Sequence, residues 1–113
     1  MFERLEMTRM AQALAAHSGA RLGLVARNIA HADTPGFRAQ DLPDFATVYA
    51  GGIDPRRLRP TETRGPQDPN GNSVRLDDQM VRMAGIRMDH DMALAVQRST
   101  SSILRAALGR GGA

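Results

Sequence analysis

The sequence predicts an all-α protein in which two long terminal helices form an antiparallel, coiled-coil-like hairpin joined by an extended Pro/Gly-rich loop. Three observations carry that expectation. Apolar residues recur at helical spacing over residues 3–32 and again over residues 77–108. Between them Pro or Gly interrupts the chain every few residues. The two helical stretches also share one length and one repeat. The chain therefore divides into an N-terminal helical segment (1–34), a loop (35–75) and a C-terminal helical segment (76–113) of one small helical domain.

In the first segment Met7, Ala11, Leu14, Ser18, Leu22, Val25 and Ile29 step by 4, 3, 4, 4, 3 and 4, which makes one continuous face. Met7, Ser18 and Ile29 are eleven apart, as are Ala11 and Leu22. An eleven-residue repeat keeps a seam straight or slightly right-handed. The opposite face carries Arg4, Arg9, Gln12, Arg21 and Arg27. Gly19 and Gly23 weaken the helix by about 1 kcal/mol each relative to Ala. The helix is expected to stop at Thr34-Pro35-Gly36-Phe37. Pro35 disfavours helical backbone at Thr34, and Pro-Gly suits the centre of a type II turn, with Gly36 at positive φ.

In the loop, Pro43, Gly51, Gly52, Pro55, Pro60, Gly65, Pro66, Pro69 and Gly71 leave room only for short extended pieces, for example residues 45–50. It is expected to lie against something else, or to be disordered alone. In the last segment Asp77 is the expected N-cap and Asp78 suits the first turn. Val81, Ala84, Met88, Met92, Ala95, Ser99, Ile103 and Ala106 form the apolar face, again with residues eleven apart in register. The run Gly109-Arg110-Gly111-Gly112 is expected to end the helix. Met7, Leu14, Leu22, Val25, Val81, Met88, Met92 and Ile103 are the expected helix-packing residues. A hairpin about 45 Å long with so many small seam residues is marginal alone and better buried among copies of itself.

Composition narrows the function. The chain has 113 residues and no cysteine, which excludes disulfides and thiolate metal sites. No stretch approaches a membrane span, and the start lacks the pattern of a cleaved secretory leader. Net charge is +3, with Arg the only strongly basic residue type. The one local concentration is Arg56, Arg57, Arg59 and Arg64, which has no interleaved aromatic for base stacking and reads as a solvated loop. His17, His31 and His90 with Asp33, Asp89 and Asp91 fall on separate elements, and Asp89-His90-Asp91 do not share a helix face, so no metal site is expected. No nucleophile triad or phosphate-cradling loop emerges. No cofactor and no enzymatic activity are expected. The spacing of Met80, Met83, Met88 and Met92 favours packing over a ligand groove.

The run Arg27-Asn28-Ile29-Ala30-His31-Ala32-Asp33-Thr34-Pro35-Gly36-Phe37-Arg38-Ala39 resembles the N-terminal signature of flagellar axial proteins, and Ala-Asp-Thr-Pro-Gly followed by an aromatic and a basic residue is similar to the proximal-rod FlgB family. Asp41-Leu42-Pro43-Asp44-Phe45 resembles the acidic-Leu-x-x-Phe stretch that follows in that family. Gly71-Asn72-Ser73-Val74-Arg75-Leu76-Asp77-Asp78-Gln79-Met80 resembles its Asn-x-Val segment leading into a Met-bearing helix. His31 stands where the family usually has Asn, and Phe37 where Tyr is commoner. The resemblance implies a subunit exported by the flagellar type III apparatus without a cleaved signal. It would polymerise at the base of the rod, within the MS ring and periplasm. Its partners would be itself, other rod proteins, FliE and the ring protein FliF, with no nucleic acid and no membrane insertion. It also implies that Asn28, Ile29, Ala30, Asp33, Thr34, Pro35, Gly36 and Phe37 form a subunit-interface motif. Two other classes stay open on the residues alone: a small Arg-rich helical nucleic-acid-binding module and a helical export adaptor.

Overall fold

Residues 2–111 are described by the computed structural model of the chain. α1 (Phe2–Ala30) and α3 (Leu76–Gly111) are the two long terminal helices, and the fold is mostly helical. Between them lie β1 (Gln40–Asp41), α2 (Phe45–Ala50), a 3-10 turn (Pro55–Arg57) and β2 (Thr61–Glu62). β1 and β2 pair antiparallel, with Gln40 opposite Glu62 and Asp41 opposite Thr61. The molecule is a rod of 69 × 24 × 16 Å. Among the described residues no helix is long and apolar enough to cross a membrane.

The core is a seam between α1 and α3, and its repeat corrects the expected one. On α1 the buried residues Ala11, Leu14, Ser18, Val25 and Asn28 step by three and four, with largely buried Arg21 filling the gap. On α3 the buried residues Gln79, Ile86, Ala93 and Thr100 are seven apart. The inner seam thus follows a seven-residue repeat, not an eleven-residue one. Leu14 and Val25 are buried, Leu22 is half-buried, and Met7 is 50% exposed. The α3 face expected to pack turns outward within the chain: Val81, Met88, Met92 and Ile103 are 74, 72, 55 and 41% exposed. The physical reason is polar. Gln79 occupies an inner position because Asn28 bonds its amide oxygen at 3.0 Å. Thr100 does so because its hydroxyl is satisfied by the carbonyl of Val96 at 2.8 Å. A pattern read from apolarity alone skips both.

Four further expectations are corrected. Residues 45–50 are helical, not extended: Phe45, Val48 and Tyr49 share one side, Val48 is buried, and Phe45 lies 5.5 Å from the ring of His17 on α1. The segment is not a bare loop, because its short strands and helices are tied to α1 and α3. Asp77 is not the N-cap. α3 already includes Leu76, and Gln79 N–H donates to Arg75 O at 3.0 Å, which puts Asp77 and Asp78 in the first turn. Finally α3 runs through Gly109 to Gly111. Glycine weakens a helix but ends it only when it turns left-handed, and Gly109 keeps negative φ. Gly112 lies outside the described residues.

Candidate functional site

The most heavily bonded part of the chain is the junction where α1 ends, the middle segment departs and α3 begins. α1 leaves carbonyls without helical partners at its C-terminus, as every helix does. Those of Arg27, Asn28 and Ile29 are taken up by the amides of His31 and Ala32, and Asn72 supplies donors from the far side of the loop to the turn that follows. Its Nδ2 lies 2.9, 3.0 and 2.7 Å from the carbonyls of His31, Ala32 and Thr34. Its Oδ1 accepts from the amide of Val74 at 2.7 Å. Asn72 is buried, and its own carbonyl accepts from the amide of Asp68 at 2.8 Å. One side chain thus ties the turn after α1 to the chain entering α3.

The turn after α1 matches the expectation from Pro35-Gly36. Phe37 N–H donates to Thr34 O at 3.2 Å, and Gly36 has φ 76°. Gly36 N–H then donates to Asn70 O at 3.0 Å, Ser73 N–H to Phe37 O at 3.0 Å, and Ala39 N–H to Ser73 Oγ at 2.8 Å. Gly71, at φ 87°, faces the turn so closely that a Cβ there would sit 3.3 Å from Gly36 Cα. At Gly36 an added Cβ meets nothing. Gly36→Ala therefore carries only the left-handed backbone cost, about 1–2 kcal/mol. Gly71→Ala carries that cost plus displacement of a backbone neighbour, and is expected to lose about 2–3 kcal/mol. Urea unfolding of the two variants checks the order; equal losses would mean that the close approach is immaterial.

Deeper in the junction Asn28 acts as a strand partner on a helix. Its Nδ2 donates to Gln40 O at 2.9 Å while its Oδ1 accepts from Gln40 N–H at 3.0 Å. The same Nδ2 reaches Gln79 Oε1 on α3. Gln79 Nε2 is buried without a partner. Beside it the Asp41 carboxylate bridges both helices. Oδ1 accepts from Arg21 Nε at 2.9 Å and from the Leu42 amide at 2.7 Å; Oδ2 accepts from Arg21 Nη2 at 2.8 Å and from Arg82 Nη1 at 2.6 Å. Burial pushes this carboxyl up, but the Arg21 fork, the Leu42 amide and Arg82 outweigh burial and hold it below the usual Asp range. Its hydrogen bond in turn holds the Arg21 guanidinium above its usual value, against burial. Farther along, His17 Nε2 lies 2.7 Å from Pro43 O. Because a carbonyl only accepts, that nitrogen carries the proton.

Of the residues singled out from the sequence, Asn28 sits at the centre of the junction and Ile29 is half-buried. Ala30 is exposed at the end of α1, and Asp33, Thr34, Pro35 and Gly36 are exposed in the turn that follows. Phe37 is half-buried and stacks on His31, ring centroids 4.5 Å apart and planes 12° from parallel. The arginines of the loop are not gathered on one face. Arg56 lines a groove with Arg9 and Gln12, whereas Arg64 lines another with Arg75, Arg82 and Asp78. The functional assignment missed Asn72, Gln40, Asp41, Gln79, Arg21 and Arg82. Asn72 had a usable signal: an Asn side chain between a loop and a helix readily accepts from the amide two residues on, as it does from Val74. No protein-family model matches the chain, and no curated protein matches it.

Proposed function

We propose that this chain is a non-enzymatic structural subunit of the proximal rod of the bacterial flagellar basal body. In this reading α1 and α3 form an antiparallel, coiled-coil-like hairpin. Contacts between Ser18 and His90 and between Asn28 and Gln79 support that arrangement, since the partner on α3 moves back as α1 moves forward. Neighbouring hairpins then pack side by side into a tube that transmits torque and surrounds an export channel. The partners are other copies, further rod proteins, FliE, FliF and the type III export apparatus.

The observation that carries the reading is an excess of surface with an apolar face on it. The chain exposes 8057 Å², whereas a compact monomer of 12.2 kDa exposes about 6,100 Å². On that surface Val81, Met88, Met92 and Ile103 stand in one row on α3. A continuous apolar row of this kind marks an interaction surface. The two stretches that carry the family resemblance also meet at one junction through Asn72, Ser73, Gly71 and Gly36. A junction that fixes the helix ends this tightly suits a subunit that must present its faces at defined angles.

Deleting the gene in its native host tests the proposal, with motility scored and basal bodies purified and imaged. Rings without a rod, restored by the intact chain but not by one lacking residues 28–37, are the expected result. Normal motility and complete rods in a host with no second copy would sink it.

A further inference from the structure

The outward row on α3 has a symmetry that its use in a tube does not require. Taking Met92 as the origin, Val81 and Ile103 lie eleven residues to either side, Ala84 and Ser99 eight and seven, Met88 and Ala95 four and three. All seven are exposed. The row is therefore nearly superimposable on itself when reversed. Reversal sets Val81 against Ile103, Met88 against Ala95 and Ala84 against Ser99, so the Met88 knobs meet small residues. The row is about 33 Å long.

We infer that the occupant of this face in the free protein is the same face of a second copy, antiparallel, with the two-fold axis beside Met92. Charge selects the direction. A parallel pair would bring Asp77 and Asp78 of one copy against Asp77 and Asp78 of the other. The antiparallel pair brings that acidic first turn near Arg105 in the last turns of its partner, and opposes the helix dipoles. On the flank beside the row the reversal sets Arg87 near Arg98 of the partner and Asp91 near its counterpart, so the preference for this direction comes from the helix ends and not from the flank. Area agrees: the excess over a compact monomer, about 2,000 Å² per chain, supplies what an interface of about 1,600 Å² in total buries.

Such a contact is closed, because each copy offers the same patch and none is left for a third. The dimer thus covers the apolar row that the proposed tube would use, and holds subunits apart from premature polymerisation. The inference goes beyond the rod reading while using the same face. It is measured on the purified chain, so its failure leaves the motility experiment untouched.

The chain has no cysteine, so introduced ones report unambiguously. Light scattering of the purified protein is expected to give twice 12.2 kDa, with a dissociation constant in about the micromolar range or tighter. On mild oxidation Met92→Cys should cross-link to itself. Val81→Cys should cross-link to Ile103→Cys in a mixture, but not to itself. Met88→Glu combined with Ala95→Glu should weaken the dimer at least about a hundredfold; both positions are exposed, so its helical circular dichroism should be unchanged. A monomer at every concentration, open polymers in place of a dimer, or self-cross-linking of Val81→Cys would each overturn the inference.

Discussion

Asn72→Ala is expected to lower the stability of the chain by about 3 kcal/mol, the largest single loss by truncation that the junction predicts. The side chain is 1% exposed and every polar atom of it is used. Its loss strips the Val74 amide of its 2.7 Å acceptor. It also leaves the Ala32 carbonyl without a partner among the described residues, while the carbonyls of His31 and Thr34 keep the amides of Thr34 and Phe37. Two newly orphaned groups at about 1–3 kcal/mol each set the scale. Asn72→Asp should be worse than Ala: it restores an acceptor for Val74 but turns a carboxylate towards three carbonyl oxygens. Urea unfolding followed by circular dichroism measures the loss, and hydrogen exchange should show fraying confined to the last turn of α1 and the first of α3. A loss under about 1 kcal/mol, or Asp milder than Ala, would show that the Asn72 bonds are dispensable.

The architecture was legible where it rests on periodicity and on backbone rules that one residue can signal. Both long helices follow from apolar residues at three and four, and the left-handed Gly36 follows from Pro-Gly alone. What escaped was decided by partners distant in sequence. The inner face of α3 could not be told from its outer face, because the inner row of Gln79, Ile86, Ala93 and Thr100 is half polar and apolar spacing ranks the row of Val81, Met88 and Met92 above it. Asn28 was singled out through a family likeness, but its work depends on Gln40 and Gln79, twelve and fifty-one residues away. The short helix at Phe45–Ala50 was hidden by length: six residues with Val and Tyr among them satisfy a strand pattern as readily as a helical one until His17 supplies a ring to pack on. The misread face is also the informative one. The row that apolarity picked out on α3 is real, and its exposure makes it an interface candidate.

Asp41→Asn tests whether charge holds the middle segment across the two helices. Asparagine keeps one oxygen for Arg21 Nε and the Leu42 amide, but sets an N–H₂ group against Arg21 Nη2 and Arg82 Nη1, donor against donor. Breaking a fully buried pair costs about 3–5 kcal/mol. Arg21 and Arg82 are 19 and 31% exposed, so water compensates part of it and about 2 kcal/mol is expected at neutral pH. The dependence on pH has a fixed sign. The Asp41 carboxyl titrates below its usual range in the folded chain, whereas in the unfolded chain it titrates near pH 3.9. The unfolded chain therefore takes up this proton first as pH falls. The stabilisation is complete above about pH 5 and is lost as pH drops through 4 towards the lower folded value. The gap in unfolding free energy between the native chain and Asp41→Asn should accordingly be flat from about pH 5 to 8 and close on acidification. A gap that stays constant down to about pH 2 would mean that the bridge works by shape, with Asp41 filling space between the helices rather than holding two guanidinium groups by its charge.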